Sequence, residues 1–134
     1  MRERKTFKAP TTIVGRMLPP NVGPPKNLVF VHPGQEQKLR EQFVYQGYVS
    51  EEERAKQKMI NGNRLVIKFR DEVVGEGQIN LIEKTNLESL SAYDAILSGF
   101  ENVDALRNHL VETVLKGERK PAHAEFFRVL FRWL

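Results

Sequence analysis

A chain of 134 residues with 40% hydrophobic and 28% charged side chains has the length for one domain with a real core, and a composition that excludes a disordered polymer. It contains no cysteine, which excludes a disulfide framework, thiol chemistry and cysteine-ligated metal. The net charge of +4 favours an anionic partner. No apolar run approaches the roughly 18 residues that a membrane span needs, and the opening RERKTFK has no apolar signal-peptide core behind it, so the expected setting is cytoplasmic, with no membrane partner.

Residues 1–10 read as a basic arm, in which Arg2, Arg4, Lys5 and Lys8 are available to phosphate. Thr11 to Leu18, TTIVGRML, is β-branched and predicts a strand carrying Arg16, with Gly15 as a bulge. The Pro/Gly-rich stretch 19–26 predicts a loop, because proline removes backbone donors and fixes φ. Asn27 to Val31, NLVFV, predicts a short strand, and His32-Pro33-Gly34 a turn. Leu39 and Phe43 at i, i+4 predict an amphipathic helix over Gln35 to Val44, which Tyr45 to Val49 end. Ser50, with Glu53 three positions on, is a capping box for a polar helix, EEERAKQKM. Its acids lead and its bases trail, as the helix dipole favours. The charge run therefore has a structural explanation of its own.

Asn61-Gly62-Asn63 predicts a turn, and Arg64 to Phe69 a strand with Leu65, Ile67 and Phe69 on one face and Arg64, Val66, Lys68 and Arg70 on the other. Asp71-Glu72 reverses the chain into a second strand, Val73 to Ile82, bent at Gly75 and Gly77. Thr85 to Ser89 leads to a helix pair over Tyr93 to Leu110. Tyr93, Ile96 and Leu97 form the apolar stripe of its first helix, and Gly99 supplies the left-handed stop. Asn102 or Asp104 caps the second helix, which buries Val103, Leu106 and Leu110. A basic loop, Lys116 to Pro121, precedes a terminal strand from Glu125 to Leu134, in which Arg128 and Arg132 point to solvent from a sheet edge. Hairpins, long returns and flanking helices together predict an α+β fold, mainly β: a small, partly closed barrel with helices packed outside it, in a single domain over 1–134.

The three histidines, His32, His109 and His123, have no metal-binding spacing, and His109 falls among core-facing helix positions, so no metal and no cofactor is expected. Tyr45 and Tyr48 offer faces for a single-stranded base, although core or rim packing explains them better. An apolar edge from Phe126 to Trp133 also suits a protein partner, and the sequence sets no oligomeric state.

Three segments in this order and spacing, NGNRLVIKFRDEVVGEGQI, SLSAYDAILSGFENVDALRNHL and FFRVLFRWL, resemble the ASCH domain of the PUA-like superfamily, over about residues 61–134. The resemblance implies a pseudo-β-barrel that binds RNA in a cleft between barrel and helices, lined by basic and polar side chains. RNA is thus the expected partner and DNA the second candidate. The residues assigned to nucleic acid are Arg4, Lys5, Thr12, Arg16, Lys68 and Arg70. Some small members look like amidohydrolases of N4-acetylcytidine, with a Gly-x-Lys-Thr-x-x-x-Arg-like strand and a glutamate at a helix end. Here Thr12 and Arg16 keep the Thr-to-Arg spacing, but Thr11 stands where lysine is expected and Ser98 where glutamate is expected. Hydrolysis of a modified nucleoside, or of RNA, is therefore the alternative, and no residue is assigned to catalysis.

Overall fold

The computed structural model describes residues 23–134. The expected strand at 11–18, and with it Arg4, Lys5, Thr11, Thr12 and Arg16, lies outside the described residues. The described elements are β1 (Lys26–Phe30), α1 (Glu36–Arg40), β2 (Gln46–Ser50), α2 (Glu51–Gln57), β3 (Arg64–Phe69), β4 (Glu72–Asn86), α3 (Ala92–Ser98), α4 (Val103–Glu112) and β5 (Glu125–Trp133). Single 3-10 turns at Pro33–Gln35, Leu87–Ser89 and Pro121–His123 join them.

The strands form one sheet in the order β1-β3-β4-β5-β2. β1 runs parallel to β3, and every other neighbouring pair is antiparallel. The sheet curls until its two edge strands approach one another. A Cβ on Gly47 of β2 would meet Leu28 and Phe30 of β1 at 3.0 Å, so glycine is what lets β2 lie against the side chains of β1. Inside the half-barrel lie Leu28, Leu65, Ile67, Ile79, Val129 and Phe131, all nearly inaccessible. The alternation expected along β3 holds residue by residue: Leu65, Ile67 and Phe69 are buried, while Arg64, Val66 and Lys68 face outward. A β4 of fifteen residues must bend to serve both β3 and β5. It does so at two register shifts, opposite Ile67/Lys68 and at Ile79/Leu81, on either side of Gly77. A Cβ on Gly77 would stand 2.8 Å from the Arg132 carbonyl oxygen. At the far corner the Trp133 ring covers Gly75, and its indole N–H donates to Val44 O at 2.8 Å.

A second core lies outside the curl, where α3 and α4 cover the outer face of β5 and β2. Leu90, Ala95, Phe100, Leu106, Leu110 and Phe126 fill it. The helix pair has the expected hinge: Gly99 caps α3 at φ 83°, and the Asn102 side chain accepts the Ala105 N–H at the start of α4. The face that α3 buries is not the expected one. Tyr93 and Ile96 are 68% and 65% exposed, and the buried positions are Asp94, Ala95 and Ser98. The apolar stripe was the stronger periodic signal, but the face turned inward satisfies polar partners on the sheet instead.

Three further differences have local causes. The helix expected over Gln35 to Val44 is a 3-10 turn and five helical residues; a left-handed Gln42 stops it. Tyr45 to Val49 is no helix end but most of β2, a strand too short for its alternation to be read. The hairpin turns at Arg70, held at φ 55°, and Asp71; Glu72 already pairs with Phe69. The expected cap at Ser50 is present: its hydroxyl accepts the Glu53 N–H at 3.0 Å.

Candidate nucleic-acid interface

On the outer face of β1, where the sheet's two edges approach, runs a cleft of about 400 Å³. Val29 and Val31 form one wall, and Tyr48 and Ser50 of β2 another. Glu53 and Gln57 of α2 close one end, and Thr113 and Val114, just beyond α4, roof the other. The open edge of β1 is capped at this site in a specific way. The Gln57 amide accepts the Asn27 N–H at 2.7 Å and donates to Asn27 O at 3.0 Å, making the pair of bonds a neighbouring strand would make. Glu53 fixes that amide by accepting its other N–H at 2.7 Å. Deeper in, a recess of about 70 Å³ shares Val29, Val31, Tyr48, Thr113 and Val114 with the cleft and ends at Gln35, Phe100 and His109.

Lys68 stands beside this cleft, since it is in register with Val29 and so shares its face of the sheet. It has no ion-pair partner among the described residues. Arg70 follows two positions on in the hairpin turn. Its guanidinium lies 5.1 Å over the Phe69 ring, and its N–H donates to Phe30 O at 2.8 Å, tying the turn to β1. The structure thus brings the two located candidates, Lys68 and Arg70, to the same end of the β1/β3 pair. Neither lines the cleft itself, whose walls are apolar and neutral-polar apart from Glu53.

Behind Tyr48 lies a buried polar network that sequence reasoning missed. Asp94, 5% exposed, accepts at Oδ1 from Gln46 at 2.9 Å and from Arg128 at 2.7 Å. Its Oδ2 accepts the Ser91 N–H at 2.9 Å and the Ser91 hydroxyl at 3.2 Å, which completes a capping box on α3. Arg128 also pairs with Glu83. It was expected to face solvent from an edge strand, but β5 lies between β4 and β2, and the outer face at Arg128 is covered by α3. Burial works against its charge, and the bonds to Glu83 and Asp94 outweigh that, so its pKa is raised. Burial alone would likewise raise the Asp94 pKa; the bonds from Gln46, Ser91 and Arg128 prevail and hold it below the usual carboxylate value.

The proton positions around Tyr48 follow from counting donors. Ser98 Oγ donates to Asp94 O at 2.7 Å, so in its 2.9 Å contact with Tyr48 the phenol is the donor. Gln46 Nε2 donates to the Tyr48 oxygen at 2.7 Å. Burial pushes the phenol up to about 12, against the pull of Ser98 and Gln46, so it stays protonated across physiological pH. Tyr48 presents a neutral ring edge to the cleft, and no ionised nucleophile.

No family model matches the sequence, and no curated protein matches it. Solved structures do. A protein from Enterococcus faecalis V583, of the family DUF984, superposes with a TM-score of 0.61 at 11% identity, covering 89% of this chain and 82% of that one. An ASCH domain from Lactobacillus crispatus JV V101 superposes with a TM-score of 0.58 at 13% identity, covering 81% of this chain and 79% of that one. The fold is ASCH-like. It is the α+β, mainly β half-barrel with outer helices that the sequence predicts.

Within this ASCH-like fold, Ser98 occupies the place where the resemblance implies a glutamate. It is 1% exposed, and its hydroxyl is engaged by Tyr48 and Asp94 O. The one local signal that could have found this network is the spacing of Ser91 three positions before Asp94. Its other members sit 48 and 34 residues away from Asp94, in Gln46 and Arg128, where no local pattern connects them. Among the described residues no group of His, Asp and Glu side chains is arranged to hold a metal ion, and no helix is long and apolar enough to cross a membrane.

Proposed function

We propose that this ASCH-like chain is an RNA-binding module of the cytoplasm, and that RNA lies across the cleft with its phosphates toward Lys68 and Arg70. The observation that carries the reading is Lys68, which has no ion-pair partner among the described residues, on the cleft's own face of the sheet, with Arg70 two residues on. The net charge of +4 acts in the same direction at longer range. Strand and hairpin positions hold these cations in place better than loops would, and arginine both pairs bidentately with phosphate and stacks on bases. A sequence-independent phosphate contact gives micromolar affinity at low salt that falls steeply as counterions compete.

Hydrolysis has less support as a reading. The hydroxyl at the glutamate position is already bonded on both sides, and Tyr48 is held protonated. The test is an anisotropy titration of the whole chain with pooled single-stranded and structured RNA at about 50 and 200 mM salt, with duplex DNA as the second arm. Binding that weakens along a straight log–log line is expected. No binding at the lower salt overturns the proposal, and a preference for duplex DNA moves it to the second candidate.

A further inference from the structure

The recess at the inner end of the cleft is lined by polar atoms that have no hydrogen-bond partner among the described residues. Gln35 is 3% exposed, and its Nε2 donates to Ser98 O at 2.6 Å. Only the nitrogen end of the amide can donate to a carbonyl oxygen, so this bond fixes the amide's orientation and leaves Oε1 as a buried acceptor. No donor reaches Oε1 among the described residues. Buried acceptors are rarely left in that state without a role. His109 lines the same recess, and neither of its ring nitrogens has a hydrogen bond among the described residues. Its ring packs 5.3 Å from Phe100 and 5.1 Å from His32. Burial, and then the neighbouring His32, lower its pKa, while Glu112 opposes them, so the imidazole is neutral at physiological pH. A neutral imidazole carries one N–H donor and one acceptor nitrogen.

The recess therefore offers an amide acceptor and an imidazole donor beside apolar side chains and the Tyr48 and Thr113 hydroxyls, which bond to Ser98 and to His109 O. Its 70 Å³ is several times the roughly 10–15 Å³ that a single water needs, room for the edge of a ring. The body of such a ring would lie in the larger cleft outside, past Tyr48, Val29 and Val31. We propose that the recess reads the hydrogen-bonding edge of a single unstacked nucleobase, with a base N–H donating to Gln35 Oε1 and the His109 ring donating to a neighbouring base carbonyl. This rests on the RNA-binding reading and gives that site its base-reading residues. Donor and acceptor side by side are what the Watson–Crick edge of an unpaired base presents, and single-stranded RNA is commonly read on that edge.

The proposal is tested with nucleosides, which carry no phosphate and so remove the electrostatic term. Uridine and 3-methyluridine, which lacks the N3–H, are titrated into the ¹⁵N-labelled whole chain and followed by NMR. Uridine should shift the signals of Gln35, Phe100 and His109, with 3-methyluridine bound at least about tenfold more weakly, the scale of one well-made hydrogen bond. Gln35→Leu should abolish the distinction. Because Gln35 also holds Ser98 O, His109→Phe serves as a second variant that keeps the packing; it should weaken uridine about tenfold and leave the salt slope of RNA binding unchanged. Equal binding of the two nucleosides, or none of either, overturns the proposal. RNA binding that persists without any uridine response refutes the base-reading recess alone, and a uridine response without RNA binding refutes the RNA module alone.

Discussion

Asp94 commits both carboxylate oxygens to the protein, four bonds in all, from Gln46, Arg128, Ser91 N and Ser91 Oγ. It is an anchor for α3, not a free base. Removing it leaves the Arg128 guanidinium half-buried with Glu83 as its remaining carboxylate and Gln46 short of an acceptor. Asp94→Ala should cost about 2–3 kcal/mol, read as a lower urea midpoint at unchanged slope. Its lowered pKa sets the sign with pH: the contribution is complete above the ordinary carboxylate value and is lost as pH falls through the lower folded one. His109 acts at the other end of the scale. Its folded pKa lies below 6.5, so between the two values the unfolded chain binds more protons and stability falls as the solution is acidified. The melting temperature should drop on going from about pH 7 to pH 5, and His109→Gln should flatten that drop; an identical profile in the variant would exclude His109 as its source.

At the scale of elements, β4 is shaped by its glycines. An alanine at Gly77 pushes its Cβ against the Arg132 carbonyl, a backbone atom that cannot step aside without moving β5. Gly77→Ala should therefore lose about 1–3 kcal/mol, measured by denaturant melting. The elements legible in the sequence are those whose signals are local. The β3–β4 hairpin announces itself by strict alternation and a turn, and the α3–α4 pair by Gly99 and the Asn102 cap. β2 was illegible because five residues containing a glycine carry no period, and it is a strand only by virtue of β5 beside it. The inward face of α3 was misread for a related reason. What Asp94 and Ser98 turn toward comes from distant strands, and periodicity weighs only apolarity.

For the whole molecule, the curl of the sheet decides where a ligand goes. The class of fold could be read from the order of strands and helices, but the strand order β1-β3-β4-β5-β2 could not, because it places the fifth strand between the fourth and the second. That placement makes Arg128 interior and turns Tyr48 toward the helices, so the network behind the cleft was invisible to a reading by segments. The cationic rim was partly visible, since alternation alone sets Lys68 outward. If RNA crosses that rim, Lys68→Ala and Arg70→Ala should each weaken binding for all sequences alike and lower the log–log salt slope by about 1. A loss confined to certain sequences, with the slope intact, would mean that these side chains touch bases instead.

Trp133 is the chain's one tryptophan, and it sits where the sheet's last strand meets Val44 and Gly75. Its indole is thus a built-in optical probe. Emission from a ring held against backbone in a sheltered corner should shift to longer wavelength when that corner opens to water. Fluorescence without any added dye would then follow the curl coming undone, while the two helices, which carry no tryptophan, would have to be followed by circular dichroism. Whether the two signals coincide would tell whether barrel and helices melt as one unit.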